Sequence, residues 1–462
     1  MTDTLAQALS RHVAMRRFED LPPDAIQATR LLLRDTLAVG WAGSAFAGLE
    51  AMRGGTLGGA ALGPCDVWGT GGRARALDAI FLNGVAAAAL EFDSLHDAGL
   101  VHADLVCVPA VFAFAQERHA SGRELIAAVA LACDVTCRLA LGAAEHTGWW
   151  HSSIYGVFGA AAGCARLLGL DEHGIAQSLG IALGHTGGTQ QAIVEQTGLK
   201  RVQSAIAARG GAHSALLAAW GVSAPTEPFA GRHGLYARFE RGGDEKIVLD
   251  GLGRRFEGML SSYKKFPTCG CGHAATEAAL QLAVEHALDE SMIESAVIRI
   301  SPYMNGIVGA PYSPADNPTV AAQFSVRYCV ASAVARKRVG LQEIEPASAL
   351  DPRLLAFANR IAIEVDETNS GKLAPAEVRL TLRDGRVLAR RVEEVPGTRA
   401  NPMTESDLRA KARDCLVRGT RPLDAAQCDE WLRRLDALEI CADAADLFAP
   451  FHSAEPGGIR QE

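Results

Sequence analysis

Residues Glu91 to Asp104 read EFDSLHDAGLVHAD, so four carboxylates and two histidines fall within fourteen residues, directly after the apolar run LNGVAAAAL. Such a set suits metal ligation, proton transfer or a solvated loop, because carboxylates and imidazoles bind cations and exchange protons, the imidazole near neutral pH. On a helix, Asp93, His96 and Asp97 would share one face through their i, i+3 and i+4 spacing. The His96–Asp97 step also fits metal-dependent phosphohydrolases, but that chemistry needs a further upstream histidine, and none occurs between His12 and His96. A second metal candidate is CGCGH, with Cys269, Cys271 and His273. Cys-x-Cys spacing with no second Cys or His pair is weak for zinc, and buried thiols in a turn are the simpler reading. The sequence therefore gives no metal site.

Other chemistry-bearing stretches are two basic pairs beside small residues. Lys200–Arg201 opens the Ala-rich SAIAARGGAHSALLAAWG, and Lys264–Lys265 precedes FPTCGCGH. Cations so placed suit a small anion with two or three carboxylates. GTGGRARA and GHTGGTQQ lack the strand–turn–helix setting and the Lys-Ser/Thr ending of a P-loop, and no G-x-S-x-G occurs.

The elements that must hold these residues are read from periodicity. Residues 1–265 are mostly helical in pattern: PPDAIQATRLLLRDTLAVGWAGS carries apolar residues at spacings of three and four, with proline at the first turn. GRELIAAVALACDVTCRLALGAA is apolar on most faces and predicts a buried helix. The character changes near residue 266. SAVIRIS and RIAIEVDE alternate as strands do, and AEVRLTLRDGRVLARRVEEV places Asp384–Gly385 between two alternating runs, a hairpin signal. HAATEAALQLAVEHAL and PTVAAQFSVRYCVASAVA predict helices between them. After NPMT, Thr404 and Asp407 mark a further helix start. The expected fold is mainly α. A large helical domain comes from residues 1–265 with 404–462, and a smaller α+β lid from 266–403.

The chain has 462 residues, 48% apolar and 21% charged, enough for two or three domains with real cores. Its net charge of −8 argues against a nucleic-acid or membrane-surface binder, which needs a basic stripe. The N-terminus shows no basic-then-apolar leader, and no run of about 18 apolar residues occurs to span a membrane. The eleven cysteines are scattered and odd in number, which fits reduced thiols in a cytoplasmic protein.

Taken in order, RDTLAVGWAGS, LNGVAAAALEFDSLHDAGLVHAD, GVFGAAAGCARLLGL, KRVQSAIAARGGAHSALLAAWGVSA, KKFPTCGCGH and AAQFSVRYCVASA resemble the MmgE/PrpD family. That family includes 2-methylcitrate dehydratase, cis-aconitate decarboxylase and iminodisuccinate epimerase. The resemblance implies a homodimer that needs no metal or organic cofactor, with its site between the two domains. Carried over by motif, it implies catalytic roles for His102, Asp93, His151 and Lys264. Glu91, Lys200, Tyr155 and His273 are implied to contact substrate, and Tyr155 is an alternative to His151 as second acid or base. His96, Asp97 and Asp104 are expected to be loop residues facing water or the partner. Relatives keep a threonine where this chain has Leu95, which points to an altered substrate.

The function expected from the resemblance is proton chemistry α to a carboxylate of a small polycarboxylate, first as a dehydratase of the 2-methylcitrate type. The alternatives are an epimerase of an iminodisuccinate-like acid, a decarboxylase of the cis-aconitate type, and a lapsed carboxylate-binding dimer without activity.

Overall fold

A computed structural model describes residues 3–57, 63–145, 147–195, 197–314 and 317–452. The chain divides into two compact units, one of Met1–Ala89, Asp93–Ser261 and Arg409–Glu462, the other of Leu90–Phe92 and Ser262–Leu408. Among the described residues, no helix is long and apolar enough to cross a membrane.

The first unit is helical. Its main elements are α1 (Pro23–Gly43), α2 (Ala76–Ala88), α3 (Asp104–Glu117), α4 (Gly122–Leu141), α5 (His151–Leu167) and α6 (Leu199–Ala219). Helix α1 begins with Pro23 at its first position, where a missing N–H costs nothing. Helix α4 is started by Ser121, whose hydroxyl accepts from the Glu124 N–H while Glu124 accepts from the Ser121 N–H. Helix α5 is the hub: α3, α4 and α6 all pack on it. Close approach there depends on missing side chains. A Cβ at Gly159 would fall on Thr136 and the Ala132 carbonyl of α4, and one at Gly211 of α6 would fall on the Val157 carbonyl. Burial of α3 from Asp104 to Gln116 is complete, so a helix apolar on most faces is surrounded by its neighbours.

Two buried ion clusters tie this unit together. Asp134 of α4 holds Arg138 at 2.9 Å and His12 at 3.0 Å, and also accepts from the Glu257 N–H. Lys411 of the Glu405–Leu416 helix reaches Asp35 of α1 at 2.8 Å, with both side chains almost wholly buried.

The second unit carries a four-stranded sheet of β1 (Ile293–Ile300), β2 (Ile361–Val365), β3 (Ala376–Leu382) and β4 (Val387–Val392), in the order β2-β1-β3-β4. The β1–β2 pair is parallel and the other two are antiparallel. The hairpin expected at Asp384–Gly385 joins β3 to β4, with Gly385 at φ 87°, a left-handed conformation that glycine takes freely. Alternate residues of β3 are buried, Ala376, Val378, Leu380 and Leu382, against α7 (His273–Glu285). The expected single helix over residues 318–335 is broken. A short helix ends at Gln323, and α8 (Val326–Arg336) starts anew because the Ser325 hydroxyl caps the Tyr328 N–H. Serine's competition for backbone donors outweighs the apolar continuity across the break. The start expected at Thr404 is present: Thr404 and Asp407 bond each other's backbone N–H.

Candidate active site

The segment 90–103 runs from α2 to α3 and is a folded loop rather than a helix. His96 and Val101 exchange backbone hydrogen bonds, closing a short hairpin around Leu100, which is held at φ 47°. This overturns both the shared helical face of Asp93, His96 and Asp97 and the expectation that His96 and Asp104 face water or the partner, since both are buried within the chain itself. His96 is buried. Its Nδ1 accepts from the Gly99 N–H at 3.1 Å, and burial pushes its pKa down, with Glu257 at 3.9 Å opposing. It is a neutral ring that shapes the hairpin. Asp97 is half-buried. Asp104 is fully buried as the first residue of α3. Sequence periodicity cannot show that a short polar loop is folded beneath helices.

His102 sits at the end of this loop. Its Nδ1 lies 2.7 Å from the Ser94 carbonyl and 2.5 Å from Asp93 Oδ2. The N–H direction favours the carbonyl, and the carboxylate flanks the same nitrogen off that line. Such a setting holds a proton on Nδ1, directed at the carbonyl. The His102 backbone N–H donates to Ser152 Oγ at 3.0 Å, fixing the loop to the first turn of α5. The imidazole stacks on Trp150, with centroids 5.6 Å apart and planes at 21°. The Lys200 ammonium, on the first turn of α6, lies 5.4 Å from the centroid of the Trp150 ring. Trp150 is thus a common platform for an imidazole from the loop and a lysine from α6, a cation–π arrangement that steadies Lys200.

His151 opens α5. Its Nε2 is 3.0 Å from Glu240 Oε1, its Nδ1 is 3.3 Å from the Gly99 carbonyl, and Tyr155 meets it edge-on. The Tyr155 hydroxyl donates to the same Glu240 oxygen at 2.9 Å. Burial, then the Glu240 charge, pushes the Tyr155 phenol far above its usual pKa. Tyr155 therefore stays protonated and acts as a donor that fixes Glu240. Glu240 carries no motif, and sequence reasoning gave no sign of it.

Asp104 was also missed as a member of this group. Its Oδ2 accepts from the Ser94 N–H and from Thr36 Oγ1, each at 3.2 Å. Its carboxyl is pushed up to about 6, first by burial and then by Asp93, with His102 acting the other way.

The second unit holds the remaining candidates. Lys264 Nζ lies 3.5 Å from Glu91 Oε2, both side chains nearly buried. Glu91 adopts φ 53°, and Gln323 donates to the neighbouring Leu90 carbonyl at 2.9 Å. A left-handed glutamate is uncommon and marks a position held by its surroundings. His273 is buried as the first residue of α7, with Nε2 3.1 Å from the Thr268 carbonyl and its ring edge-on to Phe266. Cys269 and Cys271 flank the turn before it. Among the described residues, no group of three or more His, Cys, Asp and Glu side chains is arranged to hold a metal ion.

The structure thus brings together His102, Asp93, His151, Tyr155 and Lys200 in the first unit, and Glu91 with Lys264 in the second. Residues 7–247 match the MmgE/PrpD N-terminal domain and residues 266–432 the MmgE/PrpD C-terminal domain. Among curated proteins, the chain is 26% identical to cis-aconitate decarboxylase of Aspergillus terreus over 91% of each chain. It is 26% identical to a cis-aconitate decarboxylase-like protein of Aspergillus oryzae over 93% of each. It is 25% identical to the human cis-aconitate decarboxylase over 72% of this chain and 71% of that one. Two domain matches in the family's order, covering most of the sequence, place this chain in the MmgE/PrpD family.

Proposed function

We propose that this chain is a lyase that decarboxylates a small unsaturated tricarboxylate of the cis-aconitate type. The named relatives support a decarboxylase over the dehydratase expected first from the sequence, since those quoted above are cis-aconitate decarboxylases or a protein like them. In such a reaction the bond from a methylene carbon to its carboxylate breaks. Its electron pair forms a new carbon–carbon double bond, the old π pair moves to the carbon α to another carboxylate, and that carbon takes a proton. One proton is consumed and one carbon dioxide leaves, so the protein must supply a general acid and cations for the remaining carboxylates.

The observation that carries this reading is the setting of His102. Its Nδ1 is held between the Ser94 carbonyl and Asp93, and we assign Nε2 the delivery of the proton while Asp93 steadies the imidazolium. Lys200 is assigned a substrate carboxylate, and His151 is the second acid–base group in preference to Tyr155, whose proton is committed to Glu240. Lys264 is assigned a carboxylate contact and Glu91 its electrostatic partner. His273, bonded to a backbone carbonyl, is assigned the shaping of its turn.

The test is proton NMR of cis-aconitate, 2-methylcitrate and iminodisuccinate incubated with the protein in deuterated water. The expected result is a methylene-bearing dicarboxylate from cis-aconitate with one deuterium per turnover. An alkene from 2-methylcitrate with cis-aconitate untouched would overturn the proposal in favour of a dehydratase. Deuterium exchange without bond cleavage would favour an epimerase, and inertness towards all three, with binding retained, a lapsed carboxylate-binding protein.

A further inference from the structure

Asp104 has no role in the chemistry just assigned, yet it lies directly behind it. Its side chain is fully buried, and among the described residues Oδ1 has no hydrogen-bond partner. A carboxyl is not hidden in this way without a compensating use or a cost. Its other oxygen, Oδ2, accepts from the Ser94 N–H, and the carbonyl of that same residue faces His102 Nδ1 at 2.7 Å. One residue therefore links the two side chains: Asp104 grips Ser94 at the N–H, and Ser94 grips His102 at the C=O. The Thr36 hydroxyl of α1, which shares its one proton with the Leu32 carbonyl at 2.8 Å, lies 3.2 Å from the same Oδ2.

We propose that Asp104 is a positioning residue for His102, fixing the Ser94 backbone that orients the imidazole and placing a second negative charge behind it. The inference rests on the reading of His102 as the proton donor.

The groups around Asp104 are of mixed sign. Asp93 and His102 face it from the loop, and Asp35 from α1, itself paired with Lys411 and close to Arg34. From α4 come the thiols of Cys133 and Cys137, and Cys133 also meets Cys107 of α3. The Cys133 and Cys137 thiols are buried and pushed well above their usual pKa, so they stay neutral. When Asp104 is ionised, its field on His102 favours the imidazolium. Burial raises the Asp104 carboxyl to about 6, so this charge is present at pH 7 and fades as the pH falls through that value.

The experiment compares wild-type protein with Asp104→Asn and Asp104→Ala, reading the His102 imidazole titration by NMR with His102→Gln as the assignment control. Asparagine keeps an acceptor for Ser94 and Thr36 but not the charge. Its His102 midpoint should fall by about one pH unit, and the basic limb of kcat should move down with it, while kcat on the acidic side is retained within about twofold. Asp104→Ala should lose turnover at every pH. If Asp104→Asn titrates His102 like the wild type, the charge role fails, and if Asp104→Ala turns over normally, the positioning role fails. Should the variants not fold, the reciprocal measurement decides. In otherwise wild-type protein, His102→Gln should raise the Asp104 carboxyl midpoint, followed by carboxyl carbon NMR, and an unmoved midpoint would overturn the inference. Normal turnover by His102→Gln would instead sink the reading of His102 as proton donor, whatever the titrations show.

Discussion

Asp93 Oδ2 lies 2.5 Å from the Nδ1 of His102, in a loop where the Ser94 carbonyl takes the direct line of that nitrogen's proton. The carboxylate therefore acts on the ring mainly through charge, while the peptide sets its orientation. Asp93→Asn should leave the ring in place and remove the charge. The expected outcome is a fall in kcat of about 10²-fold near neutral pH, with the basic limb of the rate profile moved to lower pH. Unchanged melting with this shift would separate charge from folding. A rate loss with no shift in the profile would show that Asp93 serves geometry instead.

His151 and Tyr155 converge on one oxygen of Glu240, at 3.0 and 2.9 Å. The phenol is buried and its pKa lies far above the working range, so its value is structural. Tyr155→Phe leaves Glu240 short of one donor in a buried site, which costs about 1–3 kcal/mol. Turnover should stay within about tenfold of wild type while the melting temperature drops. His151→Gln should show the opposite balance, with a rate loss of about 10²-fold and a smaller change in melting. Abolished turnover in a well-folded Tyr155→Phe protein would reverse the two assignments.

The parts of this arrangement that sequence could show are those governed by local pattern. Asp384–Gly385 between alternating runs gives the β3–β4 hairpin because both the period of two and the left-handed glycine are local requirements. The apolar run of α4 likewise states its own burial. What escaped was decided by distant chain segments. Glu240 matters because it is carried beneath α5, 85 residues from Tyr155. Asp104 looked like a loop acid because nothing nearby reveals that α1 covers it through Thr36. The His102 assignment came from resemblance, and the geometry adds what the motif could not say, namely which nitrogen is held and by what.

Lys411 and Asp35 form a buried pair at 2.8 Å. Burial raises the Asp35 carboxyl, the lysine opposes this, and Asp93 adds to the rise. Lys411→Met strands the carboxylate, at a cost of about 3–5 kcal/mol near neutral pH. That cost should shrink on acidification, because a protonated Asp35 needs no partner. Urea denaturation at two pH values checks this, and Lys411→Met combined with Asp35→Leu should recover most of the loss. A cost that does not change with pH would mean that lost packing, rather than a stranded charge, is responsible.

Asp104 also predicts how stability itself varies with pH. Its carboxyl is held at about 6 in the folded protein, against 3.8 when exposed. Between these values the native state keeps a proton that the unfolded chain has released, so stability declines as pH rises through the window. Above it the full cost remains, about 3 kcal/mol for a shift of this size. Asp104→Asn removes the ionisation. Relative to wild type, its denaturation free energy should therefore climb by about that amount from pH 4 to pH 7. The same variant is expected to lose activity on the basic side, so greater stability and poorer catalysis should appear together, as they do where a buried charge is kept for function. A stability difference that stays flat across that range would mean the buried carboxyl titrates like an exposed one, and the cost assigned here to keeping its charge behind His102 would be refuted.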